Sequence, residues 1–313
     1  MCNYYSVFSK KINDFLNFKE SLNFARHSYS ISLKNLDNFA IEQKLAEPIL
    51  SKEVVQNLII FHKKNITPNG QRARLIVIRG FAQYLRLIGE DAYVIDLSEL
   101  PKHQQYIPYI YSNSQLRLLF TAMDNLPIRA NNSHIITPVL FRMMYCCAMR
   151  PGEPIRLLRE DVDFQNKIIH IKDTKRHRNR LICITNELCN MLKDFDLKMG
   201  NRKWFFCTPE NQKLNSNWIY NMLRTSWVRA GLGTRKSAPR PYDFRHNSCS
   251  RILQKWLDEG KDIMTMIPYL QAHMGHCHIQ DTLYYLHLLP HELLKSKNID
   301  WSRFENIYGE VQS

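Results

Sequence analysis

Apolar residues recur at intervals of three and four through the first hundred residues, which is the spacing of amphipathic helices. The clearest stretch begins near Asn69 and ends at Gly89, and glycine commonly follows the last turn of a helix. Its apolar side chains share one arc of the predicted helix: Leu75, Ile78, Ala82 and Leu85. We therefore predict a helical domain over residues 1–100.

Three arginines run beside that arc at seven-residue intervals: Arg72, Arg79 and Arg86. A line of arginines next to a buried helix face suits contact with DNA phosphates. A solvated helix face explains the same three residues equally well. We predict that they bind DNA and keep the solvated face as the alternative.

The pattern breaks between Pro101 and Pro108, where two prolines stand in a segment without periodicity. Residues 101–111 are therefore predicted to form a linker, and residues 112–313 a second domain. Its first helix has a candidate cap in Ser112 or Ser114. The pair Thr137–Pro138 predicts another helix start, because a capping hydroxyl precedes a proline at the first helical position.

Two short runs in the second domain, residues 167–171 and 181–184, are rich in residues that favour β-strands. They flank a basic loop, so the pattern predicts a β-hairpin with a cationic tip. From Asn186 onward the pattern is helical again. The predicted fold class is therefore mainly α, with a small β-hairpin or sheet in the second of two domains.

The chain carries 43 Lys and Arg against 29 Asp and Glu, a formal net charge of +14. Such a balance favours a polyanionic partner, most commonly a nucleic acid. None of the eight cysteines forms a C-x-x-C pair, and the apolar runs are too short to span a bilayer. We expect a cytoplasmic protein with reduced thiols and no membrane partner.

Several motifs of the second domain combine residue types suited to phosphate chemistry. Arg150 is followed three residues later by Glu153, and Lys175 lies in the loop of the predicted hairpin. Downstream come Tyr242-Asp-Phe-Arg245-His246, Met274-Gly-His276 and, nine residues after that histidine, Tyr285. In this order and spacing the set resembles the tyrosine recombinases, the phage integrase family. The helical first domain is similar to that family's SAM-like core-binding domain.

The resemblance implies a DNA strand transferase that cleaves and rejoins duplex DNA through a 3′-phosphotyrosyl intermediate at Tyr285. Arg150 and Arg245 would clamp the non-bridging phosphate oxygens, because guanidinium groups form paired hydrogen bonds with them. The resemblance also implies that Lys175 is the general acid for the leaving 5′ oxygen and that His276 donates a hydrogen bond to the phosphate. Since these charges stabilise the phosphate themselves, no metal ion and no cofactor are expected.

The resemblance also implies partners and a setting. We expect a duplex DNA recombination site, bound by a homotetramer or by an assembly with sister recombinases, at the nucleoid of a bacterium and in the service of a mobile element. Arg176 and Arg178 of the hairpin loop are predicted DNA contacts. The apolar tail beyond Pro290 is predicted to dock on a neighbouring protomer or on its own core.

Two features depart from the family pattern or leave a choice open. Tyr242 stands where histidine is usual; it is kept as a candidate catalytic residue, although a tyrosine is a poor general base at neutral pH. His246 is expected on a different face of that helix. Tyr284 precedes Tyr285, and one residue turns a helix by ~100°, so both cannot face one phosphate. The spacing selects Tyr285.

Three alternative functions remain from the residues themselves. They are relaxation of DNA by a type IB topoisomerase, sequence-specific DNA binding without catalysis on the same scaffold, and zinc-dependent binding. The possible zinc ligands are His273, His276, Cys277 and His278. Because Gly275 interrupts them and no second ligand pair lies at finger spacing, no metal site is predicted. In the hairpin, Lys172 and Arg176 compete with Lys175 for the role of the catalytic cation.

Overall fold

The computed structural model describes residues 3–63, 66–104, 106–172 and 179–288. The chain divides into two compact units, residues 1–107 and 108–313. That division falls inside the predicted linker, while the DNA-binding role assigned to the first unit stays a prediction. The predicted fold class, mainly helical with a small sheet, is confirmed.

The first unit is a bundle of helices around one apolar core. Its helices are α1 (Ser9–Ser21), α2 (His27–Glu42), α3 (Lys52–Lys63) and α4 (Pro68–Leu87). In the core, Phe15 packs edge-on against Phe81, with ring centroids 5.4 Å apart. α4 begins at a cap in which the Thr67 hydroxyl accepts a hydrogen bond from the Gly70 N–H. A proline follows at the first helical position, where no intrahelical N–H partner is required.

The three arginines of α4 bind backbone carbonyls of the segment that follows the helix. The pairs are Arg72 with Pro101 at 3.0 Å, Arg86 with Ala92 at 2.7 Å, and Arg79 with Ile95. These side chains therefore fasten residues 92–101 along α4, an intramolecular role that the seven-residue spacing does not disclose. Their contact with DNA stays a prediction.

The second unit joins helices to a small sheet. Its helices are α5 (Asn113–Asp124), α6 (Ser133–Cys146), α7 (Gly152–Arg156), α8 (Asn186–Met199), α9 (Ser216–Arg229), α10 (Asp243–Asp258), α11 (Ile263–Met274) and α12 (Ile279–Leu283), and a 3-10 turn (Tyr284–Leu288) follows α12. The strands are β1 (Val162–Asp163), β2 (Ile168–Ile171) and β3 (Arg180–Cys183), antiparallel in that order. The predicted hairpin is thus β2 and β3, and β1 extends it by a short edge strand.

Helix α10 is held in the core of the second unit from several sides. The Phe244 ring lies 5.3 Å from that of Phe141 and 5.2 Å from that of Tyr111, centroid to centroid. The Asn247 amide donates to the Tyr109 carbonyl, and its oxygen accepts from the Tyr111 N–H, each over 2.7 Å. These contacts fix the helix whose first turns carry the Tyr-x-x-Arg-His motif.

The prediction that a helix begins at Thr137–Pro138 is wrong. α6 begins four residues earlier at Ser133, and Pro138 lies inside it. Proline forfeits one backbone hydrogen bond inside a helix. Ile136 before it is fully buried nonetheless, and partly buried Ile135 packs against the same core. Burial of this first turn therefore outweighs the local start signal.

Candidate active site

Glu153, in the first turn of α7, is a buried carboxylate that joins two arginines. Arg180, at the start of β3, donates from Nη1 and Nη2 to its two oxygens, each over 2.8 Å. Arg150 donates from its backbone N–H over 2.8 Å and from Nη1 over 3.0 Å. Burial alone raises the pKa of Glu153, but the bidentate Arg180 and the neighbouring cations outweigh it and hold that pKa below its ordinary value. The carboxylate therefore stays charged and fixes both guanidinium groups.

Arg245 on α10 is fully buried and is held by backbone carbonyls. Nη1 donates to the Ala148 carbonyl and Nη2 to the Met274 carbonyl, each over 2.7 Å. Its Nε is enclosed and has no hydrogen-bond partner in the described part of the chain. Burial lowers the pKa of this guanidinium, yet arginine remains charged in proteins. Ala148 adopts a left-handed conformation with φ of 47°, and its carbonyl faces the guanidinium.

The turn after α11 brings the arginines together. The Gly275 carbonyl accepts from Arg150 Nη2 over 3.2 Å, while the His273 carbonyl accepts from Arg180 Nε over 2.9 Å. Gly275 itself has φ of 63°, and a Cβ there would lie 3.0 Å from Arg180 Cδ. Glycine is therefore required for two reasons, the left-handed backbone and the close approach of an arginine.

His276 is tied at both ring nitrogens. Its Nε2 lies 3.0 Å from Arg245 Nη2, and its Nδ1 lies 2.8 Å from the hydroxyl of buried Thr282. A guanidinium only donates hydrogen bonds, so Nε2 accepts and the proton of the neutral ring resides on Nδ1. Burial, with Arg245 nearby, lowers the pKa of His276 to about 3, which keeps the ring neutral. In this arrangement both ring nitrogens are occupied, and the predicted donation to a phosphate requires that one contact be given up.

Tyr285 packs against this group. Its ring stacks on that of His276, with the ring centroids 6.0 Å apart and the ring planes 7° from parallel. The residue is 3% exposed. Burial raises the pKa of the Tyr285 hydroxyl, whereas the nearby Arg245 lowers it. Tyr284 lies at the edge of the cluster, half-buried, with its ring 5.8 Å from that of Tyr285. The structure thus gathers Arg150, Arg245, His276 and Tyr285 into one cluster.

Tyr242 and His246 share one face of α10, so the expectation of different faces is wrong. Four residues return a helix almost to its starting direction, and the two rings lie 5.1 Å apart. The His246 ring also lies 5.4 Å from that of Tyr285. Tyr242 interacts with Arg150: burial lowers the pKa of that guanidinium, but Glu153 and Tyr242 together raise it above its ordinary value.

A cleft of about 520 Å³ opens between β3 and the end of α11. Among the residues that line it are Arg180, Gly275 and His276. The loop that carries Lys175, Arg176 and Arg178 joins β2 to β3, and these three residues lie outside the described part of the chain, as does the tail beyond Pro290.

The described residues contain neither a membrane span nor a metal-binding group. No helix in that part of the chain is both long and apolar enough to cross a membrane. No group of three or more His, Cys, Asp or Glu side chains among the same residues is placed to hold a metal ion. The candidate ligands at the end of α11 and after it thus do not form such a group with their described neighbours: His273, His276, Cys277 and His278.

Sequence reasoning misses two members of the cluster and undervalues a third. Arg180 resembles the loop cations in sequence, although it is bound face to face with Glu153. Thr282 carries no sequence signal of its own. In the sequence Glu153 is only the acidic residue three positions after Arg150, whereas in the structure it is 3% exposed and binds two arginines. A usable signal exists for Glu153: an acidic residue in a largely apolar stretch, three residues after a candidate catalytic arginine.

Comparison with known proteins gives one coherent result. Residues 111–292 match the model of the phage integrase family. A tyrosine recombinase of Pseudothermotoga lettingae is 22% identical over 270 residues, which cover 86% of this chain and 84% of that protein. The Tn1549 transposon integrase in complex with transposon right end DNA superposes with a TM-score of 0.67 at 13% identity, over 97% of this chain and 99% of that one. A lambda integrase dimer bound to a COC′ core site superposes with a TM-score of 0.67 at 10% identity, over 88% of this chain and 94% of that one. At these identities the two superpositions show a shared fold.

Proposed function

Because the chain belongs to the phage integrase family of tyrosine recombinases, we propose that it cleaves and rejoins duplex DNA through a covalent bond between Tyr285 and a 3′ phosphate. One observation carries this proposal. Tyr285 is stacked on His276 beside the buried guanidinium of Arg245, in the same cluster as Arg150. A hydroxyl beside a fixed guanidinium, in a cluster that holds a second one, is suited to attack an anionic phosphodiester.

The chemistry assigned to each residue follows from its donors. The attacking Tyr285 oxygen forms a bond to phosphorus as the bond to the 5′ oxygen breaks, and charge gathers on the non-bridging oxygens. Arg150 and Arg245 stabilise that charge. Arg245 retains its Nε–H, which has no hydrogen-bond partner among the described residues and would donate to a phosphate oxygen once DNA binding opens the buried cluster. Lys175 would protonate the leaving 5′ oxygen, and the reaction needs no metal ion.

Burial of Tyr285 sets a condition on the reaction. At 3% exposure the side chain offers no room for a phosphodiester beside its hydroxyl. The raised pKa of the hydroxyl also disfavours the phenolate that attacks best. DNA binding therefore has to uncover Tyr285 and bring a phosphate within reach of the arginines. The cleft beside Gly275 and His276 is the route along which a phosphate would approach.

The same proposal extends to partners. We expect a duplex recombination site and a homotetramer, or an assembly with sister recombinases, because exchange of two duplexes requires four strand cleavages. Two solved structures of similar fold contain DNA, one with a transposon end and one as a dimer on a core site, which supports a DNA substrate here. An integrase of a mobile element would act on the chromosome, at the nucleoid in the bacterial cytoplasm.

The decisive experiment traps the covalent intermediate and identifies the target sequence at the same time. The full chain is incubated with a pool of nicked duplexes that share a randomised segment, and protein-bound DNA is recovered after denaturation and sequenced. We expect an adduct on a defined sequence. Tyr285→Phe should abolish the adduct because it removes the attacking oxygen, while the matched control Tyr284→Phe should retain it. An adduct that survives Tyr285→Phe would refute the assignment of the nucleophile.

A further inference from the structure

His246 is an enclosed imidazole on α10 for which the proposed reaction has no use so far. It stands one helical turn after Tyr242, and its ring lies 5.4 Å from that of Tyr285. Its Nδ1 is buried and has no hydrogen-bond partner in the described structure. A buried polar atom without a partner is unfavourable. Its position between two tyrosines therefore suggests a use in function.

We propose that His246 accepts the proton of the Tyr285 hydroxyl when that oxygen attacks the DNA phosphate, and so replaces the histidine that Tyr242 displaces. This inference rests on the function proposed above. Tyr242 and His246 occupy the same helix face at successive turns, so a base moved from one position to the other still lies beside the cluster that contains Tyr285.

Every bond and every proton in this step is accounted for. Tyr285 Oη forms a bond to phosphorus, its proton passes to a His246 nitrogen, and the phosphorus–O5′ bond breaks. The leaving 5′ oxygen takes a proton from Lys175. When the strand is rejoined, the 5′ hydroxyl returns its proton to Lys175, and His246 returns its own to the tyrosine. No other reactant is needed.

Other groups around Tyr285 are less able to take this proton. Arginine side chains have no acceptor, and both nitrogens of His276 are engaged by Arg245 and Thr282. Burial raises the pKa of Cys249 to about 12, so its thiol stays protonated, and that thiol lies 2.9 Å from the Met274 sulfur. A tyrosine hydroxyl, as at Tyr242, is a poor general base compared with an imidazole.

The electrostatic surroundings of His246 keep its imidazole unprotonated before DNA binds, as a proton acceptor requires. Burial, with Arg245 on the same helix, lowers its pKa to about 4, so the imidazole is neutral at neutral pH and offers one lone pair. The rings of Tyr242, Tyr284 and Tyr285 face it. An arriving phosphodiester brings a negative charge next to Arg245, which favours the protonated imidazole at the moment it is required.

The test uses the full chain and the nicked duplex recovered from the randomised pool. His246→Asn keeps a polar side chain of similar reach but cannot take up a proton. Adduct formation in a single turnover should slow by about a hundredfold or more, the usual contribution of a general base. Binding of the same duplex should be unchanged, and the matched control Tyr284→Phe, beside the same imidazole, should cleave at the parent rate.

Two rescues separate proton acceptance from other roles. In the His246→Asn background, replacing Tyr285 by 3,5-difluorotyrosine should raise the rate of adduct formation at least about tenfold, because the more acidic phenol needs less help from a base. A duplex with sulfur at the 5′ bridging position should not restore it, because sulfur relieves only the leaving group. The role of His246 would be overturned if only the sulfur-containing duplex restored the rate of His246→Asn, or if neither substitution restored it. It would also be overturned if His246→Asn cleaved at the parent rate. If the parent protein forms no adduct on any duplex, it is the proposed function that fails.

Discussion

Two sets of arginines, one in each unit, look alike in sequence and differ in how they are held. Arg72, Arg79 and Arg86 on α4 each reach a separate backbone carbonyl, and Arg86 is exposed. Arg150 and Arg180 instead converge on one buried carboxylate, Glu153. The first set secures a segment of chain one bond at a time. The second set is a single charged network in which each member depends on the others.

The difference bears on how readily each kind of arginine would bind an anion. A guanidinium that is partly exposed keeps its freedom and must be ordered whenever it binds an anion. A buried guanidinium whose donors are fixed by a carboxylate, or by carbonyls as in Arg245, is already oriented, so no ordering is required when charge develops. The contrast predicts that the second set is costly to disturb in isolation and that the first set tolerates change.

The largest effect is expected from Glu153→Ala. Removing this carboxylate leaves Arg180, which is 9% exposed, as an uncompensated buried charge. The free energy of unfolding of the second unit should fall by about 3–5 kcal/mol, the usual result of breaking a buried ion pair. Denaturant unfolding followed by tryptophan fluorescence would measure it.

Glu20→Ala is the matched control in the first unit. Glu20 pairs with Arg26 at 2.8 Å, but its side chain is 46% exposed. An exposed pair of this kind contributes roughly 0–1 kcal/mol. Because all five tryptophans lie in the second unit, unfolding of the first unit is followed by far-UV circular dichroism. Equal losses for Glu153→Ala and Glu20→Ala would contradict the distinction drawn between the two kinds of arginine.

Acid should produce the next largest effect and should act on the second unit. The pKa values of His246 and His273 are lowered to about 4 and that of His276 to about 3, chiefly by burial. Unfolded histidine takes up a proton near pH 6.5. Stability contributed by the neutral rings is therefore present above that pH and is lost as the pH falls toward 4. Allowing for partial exposure, each ring should cost on the order of 1 kcal/mol at about pH 5.

Hydrogen exchange at several pH values would test this comparison. Amides of α10 and α11 should lose protection, corrected for the intrinsic rate, between about pH 7 and pH 5, while amides of α4 change less. His276→Gln removes one titrating side chain, so the protection of α11 amides should depend less on pH in this variant. Parallel losses in both units would show that acid acts through some group other than these histidines.

The smallest effect is expected from Arg86→Gln in the first set. Loss of the bond to the Ala92 carbonyl should lower the free energy of unfolding by about 1 kcal/mol. If Arg86 also contacts a phosphate, as predicted, the slope of log affinity for DNA against log salt concentration should shrink by about 0.9. An unchanged slope would leave Arg86 only its structural role.

Local pattern is sufficient to predict most of the helices. The arc of Leu75, Ile78 and Leu85 predicts α4 because burial of one face repeats with the helical period. The pattern fails at Pro138, where a local start signal competes with burial of the preceding turn, and the outcome depends on packing partners distant in sequence. The edge strand β1 escapes prediction because two residues carry too little periodicity to detect.

The residues of the candidate site also divide into those that local sequence predicts and those that depend on distant partners. Arg150, Arg245, His276 and Tyr285 can be found because each belongs to a short motif whose order can be compared with a family. Arg180 resembles a loop cation because its partner Glu153 lies 27 residues away. The expectation that His246 lies on a different face is an error of helical arithmetic, which the sequence itself is able to correct.

The cluster around Arg245 is built from contacts between residues far apart in the chain. Arg245 and Ala148 are 97 positions apart, and Arg150 and Gly275 are 125 apart. Contacts of such separation form late, because the intervening chain must be ordered before they stabilise anything. During synthesis the carbonyls and cations cannot meet until residues 274–285 have left the ribosome. A nascent chain thus has no assembled cluster until the segment through Tyr285 has been synthesised.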